Sequence, residues 1–305
     1  MASMRLWDPG RVATARGKLA VYARLIRVEH TLFSLPFAAI GLLVARAASP
    51  LVYILAFISL FGLRSAAMTF NNMADVDVDA QNPRTSSRPM VRGVVSAREA
   101  LTILLVSTII YYASAYAICW AALLYATPLY ILALLYPYAK RVHSIPHLHL
   151  GAVLGLAVFG GWVAGACSRG LCDPLVLLLR APWLIVAGVA LWVAGFDTVY
   201  SLMDYDVDVR LGLGSLPAAL GPRRALYAAL AMEVASAALW CLGGLVYAGV
   251  YAALSSLAAG LVAVYSVLLA LRSQDNIPRA FNMNLAVGFI ALAGYVAQMV
   301  AYSGV

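Results

Sequence analysis

Seven of the chain's 13 acidic residues fall in two short stretches. One carries Asp75, Asp77 and Asp79. The other carries Asp204, Asp206 and Asp208, with Asp197 a little upstream. On an α-helix, residues four apart are separated by about 40° around the axis and share a face. Asn71, Asp75 and Asp79 therefore form one stripe, and Tyr200, Asp204 and Asp208 form another. Asp77 and Asp206 point about 160° away from the acids two residues before them, so they are expected to face loop or water. Stacked carboxylates repel each other, and near a membrane each costs roughly 2.5–3.5 kcal/mol at mid-bilayer and less at the interface. Two such pairs meeting in one cavity need cations between them. Carboxylate and amide oxygens with water suit magnesium, and magnesium favours phosphate as a remaining ligand. The pattern predicts a metal–diphosphate site.

Other readings of the acids explain less. A calcium loop would place Gly at its sixth position and Glu at its twelfth. Here those positions hold Ala80 and Ser86 in the first stretch, Val209 and Ser215 in the second. A solvated acidic loop does not account for the repetition, for Asn71 and Tyr200 continuing the stripes, or for the nearby bases. Those bases are Arg84 and Arg88 after the first stretch, and Lys140 and Arg141 in the segment that begins at Tyr136. Arg64 lies seven residues before Asn71, on the same face and two turns deeper, where an arginine needs an acid or an anionic substrate. Such groups satisfy diphosphate oxygens. Arg92, Arg98, Arg223 and Arg224 are read as topology signals. His143, His147 and His149 are read as interface histidines.

The elements that must hold these residues are membrane helices. The chain has 305 residues, 64% hydrophobic and 11% charged, against about 25% charged in an ordinary soluble domain. Apolar runs near the roughly 18–20 residues that cross a bilayer recur throughout, without the alternation of a barrel strand. The fold class is all-α and polytopic, because lipid forces backbone groups to bond within their own segment. Nine spans are expected, near residues 30–48, 51–74, 99–119, 120–138, 148–167, 182–204, 224–246, 248–271 and 281–302. The two acidic stretches close spans two and six, so residues 30–138 and 148–271 are read as duplicated four-helix halves. The last helix, 281–302, is an addition, and the whole chain is one domain.

Residues 1–29 hold six Lys or Arg with no apolar core, so a signal peptide is not expected. Residues 14–29 are read as a basic helix on the membrane surface. With a cytoplasmic N-terminus, the basic residues divide 17 inside to three outside, counted along the sequence. That places the C-terminus outside and opens the site to the cytoplasm. The net charge of +8 then reflects topology and an anionic substrate. Nucleic-acid binding is a poor reading of bases spread over the loops of a membrane protein. Cys119, Cys167, Cys172 and Cys241 form no C-x-x-C pair, and zinc is not expected. Cys167 and Cys172 fall together at an outer helix end. A disulfide between them is one reading and two unpaired thiols the other, the latter preferred.

The residues from Asn71 to Asp79 resemble the first motif of the UbiA superfamily of intramembrane prenyltransferases. Those from Asp197 to Asp208 resemble its second motif. Asn72 stands where that family usually has Asp. The loop from Arg84 through Arg88 to Gly93, the segment from Tyr136 to Arg141, and Gly212 to Ser215 are similar to the family's intervening pieces, in the same order. The resemblance implies a nine-helix bundle around a central cavity topped by cytoplasmic loops. It also implies magnesium-bridged diphosphate at Asn71, Asp75, Asp79, Asp204 and Asp208. Arg88, Lys140 and Arg141 would neutralise charge, with Arg141 meeting an acceptor carboxylate. Arg64, Arg84, Tyr136 and Asn72 are expected to bind substrate, and Lys140, Arg141, Asp197 and Tyr200 to take part in catalysis, Asp197 as a base or as a structural partner.

The segment from Arg24 to Phe37 resembles the opening of 4-hydroxybenzoate polyprenyltransferases. The expected reaction is therefore transfer of a prenyl group from a prenyl diphosphate to an aromatic acceptor. Geranylgeranylglyceryl phosphate and haem are alternative acceptors within the superfamily. From another class, a divalent-cation transporter would use the same acids as an ion path. It would need acids through the membrane depth, whereas these lie at one side.

Overall fold

The computed structural model describes residues 15–303. Residues 1–14, including Arg5 and Arg11 of the expected basic segment, lie outside the described residues, as do 304–305. Among the described residues all regular structure is helical. A helix lies at each expected span: α2 (Val28–Val44), α3 (Pro50–Ala74), α5 (Ala97–Ile118), α6 (Trp120–Val142), α7 (Pro146–Cys167), α9 (Trp183–Ser201), α12 (Pro222–Tyr247), α13 (Val250–Arg272) and α14 (Ile277–Ser303). Eight of these are long and apolar enough to cross a membrane. The remaining one, α2, offers the shorter apolar stretch Phe33–Val44. Short helices α1 (Ala15–Ile26), α4 (Val76–Ala80), α8 (Pro174–Arg180), α10 (Tyr205–Leu211) and α11 (Leu216–Leu220) connect or flank them.

Local sequence signals set the boundaries. Ser96 and Glu99 form a reciprocal capping box at the start of α5. The near-continuous apolar run between α5 and α6 breaks at Cys119, whose extended backbone (φ −174°) is a one-residue connection. Helix α1 is docked through buried Val21 and Leu25 against Val95 and Ala100. Tyr22 donates to Glu99 at 3.0 Å and Lys18 pairs with the same carboxylate at 3.4 Å. The inner side of α1 is thus occupied by protein.

The long helices pack in chain order, and α14 returns against α2 to close the circuit. Outward positions such as Ile54, Leu105, Leu124, Leu254 and Phe289 are exposed apolar residues, suited to lipid. Inward contacts use small residues so that backbones approach closely. A Cβ on Gly41 would lie 2.1 Å from the Val158 carbonyl oxygen, and one on Gly161 2.1 Å from that of Ala38. The α2–α7 crossing therefore requires glycine on both sides. Beside it, Phe37, Trp192 and Trp240 pack with tilted rings as a fully buried aromatic cluster.

The cysteine expectation needs correction. Cys167 pairs with Cys119, 48 residues away, with Cα atoms 6.3 Å apart. Cys172 and Cys241 are the free thiols. The antiparallel α6–α7 pair brings the start of one helix to the end of the other, and this outweighs the nearness of Cys172 in sequence.

Candidate active site

The helix carrying each acidic stripe is broken at its middle acid. Helix α3 ends at Ala74, and Asp75 takes φ −108°, ψ 12° before α4 begins. Asp204 takes φ −106°, ψ 3° between the 3₁₀ turn Leu202–Asp204 and α10. Both lie in the sparsely populated bridge region that active-site residues often occupy. The break keeps Asp75 with Asp79, and Asp204 with Asp208, facing one cavity of about 410 Å³ lined by Asn71, Asp75, Asp79, Tyr200, Asp204 and Asp208. Asp77 and Asp206 face outward and are exposed, as their spacing predicts.

Within this cavity most acids are held by bases. Arg84 clasps Asp204 with two nitrogens, Nε donating to Oδ1 at 2.8 Å and Nη2 to Oδ2. Asn82 also donates to Asp204, at 2.8 Å. The Arg84 Nη1 donates to the Tyr200 hydroxyl at 2.9 Å, and the guanidinium lies 5.0 Å above the Tyr200 ring. Arg88 pairs with Asp79 through Nη1. Lys140 lies 2.8 Å from Asp75. Asp208 makes no ion pair among the described residues and faces Ser215. Burial pushes the Asp79 carboxyl above its ordinary value, with Arg88 partly opposing that rise. Desolvation would lower the Arg84 pKa, but the hydrogen bond and charge of Asp204 raise it above the ordinary arginine value.

Two expected substrate contacts are placed elsewhere. Asn72 is outside the cavity lining. Its amide donates to the carbonyls of Leu25 and Met68 at 3.2 and 2.8 Å, tying α1 to α3. This is the position where the resembled motif carries an acid, and here its amide nitrogen is engaged by two backbone carbonyls. Arg141 is also outside the lining. It donates to Ala74 O at 2.7 Å, to Asp75 at 3.2 Å and to Asp77 at 3.4 Å. Arg64 and Tyr136 do line the cavity.

Sequence reasoning missed two partners. Asn82 carries no spacing signal, yet it steadies Asp204. His147, set aside as an interface histidine, is 2% exposed. Its Nδ1 lies 2.7 Å from Asp197 Oδ2, and its Nε2 accepts the Leu216 N–H at 3.2 Å. Accepting at Nε2 puts the proton on Nδ1, which donates to Asp197. The other histidines are apart from it: His149 bonds the Leu132 carbonyl at 2.7 Å and His143 is exposed. Phe33, Phe196 and Phe281 supply an apolar wall. The loop after α10 closes the rim. Gly212 adopts φ +65° there, and the Gly214 N–H donates to Lys140 O at 2.6 Å, an approach that a Cβ would block by meeting His143 O at 2.1 Å.

The described residues form a polytopic helical bundle with an acid-rich, base-rich cavity at one end of its helices. The family model described as "UbiA prenyltransferase family" matches residues 34–298, and the chain belongs to that family: it is a multi-pass membrane prenyltransferase. It is 32% identical over 234 residues to the 4-hydroxybenzoate octaprenyltransferase of Albidiferax ferrireducens, covering 76% of each chain. To that of Nitrosomonas eutropha it is 28% identical over 289 residues, covering 91% of this chain and 96% of the relative. The structure of a UbiA homologue from Aeropyrum pernix K1, in its apo form, superposes with a TM-score of 0.83 at 46% identity, over 89% of this chain and 98% of that one. A homologue from Archaeoglobus fulgidus, solved bound to GPP and Mg2+, shares the fold at 21% identity with a TM-score of 0.67, over 90% of this chain and 99% of that one.

Proposed function

We propose that this chain transfers a prenyl group from a prenyl diphosphate to an aromatic acceptor such as 4-hydroxybenzoate, in a magnesium-dependent reaction that releases diphosphate. The observation that carries the reading is the shared cavity. Two acid pairs from different helices face it together with Arg84, Arg88 and Lys140. The donor set fits magnesium: Asp75, Asp79, Asp204 and Asp208 offer carboxylate oxygens and Asn71 an amide oxygen, and Asp208 makes no ion pair among the described residues. Magnesium at these residues would supply positive charge against the departing diphosphate.

The chain's own groups do the rest. Arg84, Arg88 and Lys140 turn from their carboxylates to the diphosphate oxygens and stabilise charge as the C–O bond breaks. Phe33, Phe196 and Phe281 keep water from the allylic cation, where hydrolysis would compete. The acceptor ring carbon attacks that cation, and the resulting dienone gives up the hydrogen on that carbon to rearomatise while the phenolate oxygen takes a proton back. His147 holds Asp197 by one carboxylate oxygen, leaving the other to take the acceptor's phenolic proton. The names of the two octaprenyltransferase relatives support the acceptor class. The Mg2+ and GPP of the Archaeoglobus homologue support the donor and the metal. The repeated break at Asp75 and Asp204 supports duplicated halves, with α2 as the first of nine crossings. The bias of basic residues supports a cytoplasmic N-terminus, an outer C-terminus and a site open to the cytoplasm.

Incubation of the purified protein with geranyl diphosphate, magnesium and 4-hydroxybenzoate is expected to yield prenylated product and diphosphate. Asp75→Ala and Asp204→Ala are each expected to lower turnover by about a thousandfold or more while the protein still folds. Full activity in either variant refutes the metal role.

A further inference from the structure

At the end of the bundle away from the acids, three sulfurs converge that the transfer reaction does not use. Cys119 is the single residue joining α5 to α6, Cys167 closes α7, and Cys172 lies in the loop before α8. Their Sγ atoms all lie within 4.8 Å of one another. Cys119 and Cys167 are bonded, and Cys172 is a half-buried free thiol 3.9 Å from the Cys167 carbonyl oxygen. The chain holds the third sulfur in place from both sides. Before it, Gly170 turns the backbone at φ +85° and the Leu171 N–H donates to Ala166 O at 3.1 Å. After it, Asp173 caps α8 and the Tyr125 hydroxyl of α6 donates to Pro174 O at 2.7 Å. A disulfide uses two sulfurs, so it does not account for a third one fixed beside it.

The two bonded sulfurs differ in how well each would carry a negative charge. Cys119 is the N-cap of α6, and its Sγ accepts the Ala122 N–H at 3.2 Å. A thiolate there meets the positive end of a 23-residue helix and a backbone donor already aimed at it. Cys167 is the last residue of α7, at the negative end of a helix, where a thiolate is disfavoured. In thiol–disulfide exchange the sulfur that better carries charge departs, and its partner is the one attacked. The surroundings therefore mark Cys119 as the leaving sulfur and Cys167 as the centre of attack.

We propose that Cys119, Cys167 and Cys172 form a thiol–disulfide exchange site in which Cys172 displaces Cys119 from Cys167. The Cys172 thiolate attacks the Cys167 Sγ, and a Cys167–Cys172 bond forms as the Cys119–Cys167 bond breaks. The electron pair of the broken bond goes to the Cys119 Sγ, which takes up a proton in place of the one Cys172 gave up. The step is an isomerisation and needs neither oxidant nor reductant. It converts a link across 48 residues, between the α5–α6 corner and α7, into a link across five within one loop. The corner is then untied from α7. A cross-link that closes a longer loop removes more freedom from the unfolded chain, so the exchanged form melts at the lower temperature. The site works as a switch between a tied and an untied outer end, and it is independent of the transfer reaction proposed for the acid-lined cavity.

The test starts from oxidised, detergent-purified protein carrying Cys241→Ser, which leaves Cys172 as the one free thiol among the described residues. After incubation without reductant, free thiols are trapped with iodoacetamide and mapped by mass spectrometry. The label is expected on Cys172 at first and on Cys119 over minutes to hours, together with a linked Cys167–Cys172 peptide. Raising the pH from about 7 to about 8.5, the ordinary cysteine pKa, should speed the transfer at least about tenfold by forming thiolate. Its rate should not change with protein concentration. Adding Cys172→Ser should keep Cys119 unlabelled. Cys119→Ser retains an N-cap hydroxyl for α6; treated with glutathione disulfide, it should form the Cys167–Cys172 bond and melt below Cys172→Ser. Label confined to Cys172 at every time, or a rate that rises with protein concentration, overturns the exchange site. Label on Cys167 with a Cys119–Cys172 bond overturns the choice of Cys119 as the leaving sulfur.

Discussion

Asp197 owes its orientation to a histidine fifty residues earlier in the chain. The imidazole of His147 is fixed at both ends, by the Leu216 N–H on one nitrogen and the Asp197 carboxylate on the other. Replacing it with Phe removes both contacts at similar volume and lets Asp197 rotate. Turnover is expected to fall by about a hundredfold with little change in donor KM, since misplacement of a reacting group by about 1 Å costs that much. Steady-state kinetics with the donor varied separates this from a loss of binding. An unchanged kcat would show that Asp197 needs no such support. The acids were legible in the sequence because period-four spacing survives in any helix that carries them. His147 and Asn82 were not legible. Their partners are set by which helix ends meet in space, and no local spacing encodes that. Asn72 shows the converse: it lies inside a motif, but one residue off the stripe, so its amide turns toward α1.

At the scale of elements, the sequence located the helices well, because long apolar runs in lipid have few alternatives to helix. It also led to a continuous acidic stripe, and the structure breaks each stripe at its central acid. Spacing alone does not distinguish a straight helix from one that stops and restarts in nearly the same direction. The disulfide partner was hidden for a related reason: pairing follows from how α6 and α7 cross. That crossing region also depends on glycine. Gly161→Leu forces a side chain into the Ala38 carbonyl of α2. Overpacking of this kind costs about 1–3 kcal/mol. The variant's melting temperature in detergent should drop accordingly, whereas Gly160→Ala, one residue away, where an added Cβ meets nothing within 4 Å, should hold it or raise it slightly. Equal shifts in the two would show that the α2–α7 contact is not the tight one.

Over the whole molecule, a site that handles anions lies within a protein surrounded by lipid, and its charge must be balanced before any ligand arrives. Among the described residues, five bases and five aspartates line the cavity: Arg27, Arg64, Arg84, Arg88 and Lys140 against Asp75, Asp79, Asp197, Asp204 and Asp208. Their formal sum is zero. A divalent cation arriving alone must displace guanidinium or ammonium groups and leave them uncompensated in a medium of low dielectric, and a diphosphate arriving alone strands the carboxylates in the same way. Arriving together, each takes the partner that the other releases. Thermodynamic linkage makes this help mutual and equal in both directions. Calorimetric titration with magnesium and with a thio-diphosphate analogue should therefore show weak binding of either one and binding at least about tenfold tighter when the second is present. Independent affinities would contradict it. If magnesium and diphosphate bind as proposed, the internal ion pairs act as a lock with two keys, so that neither stray cations nor unaccompanied phosphates occupy the chamber.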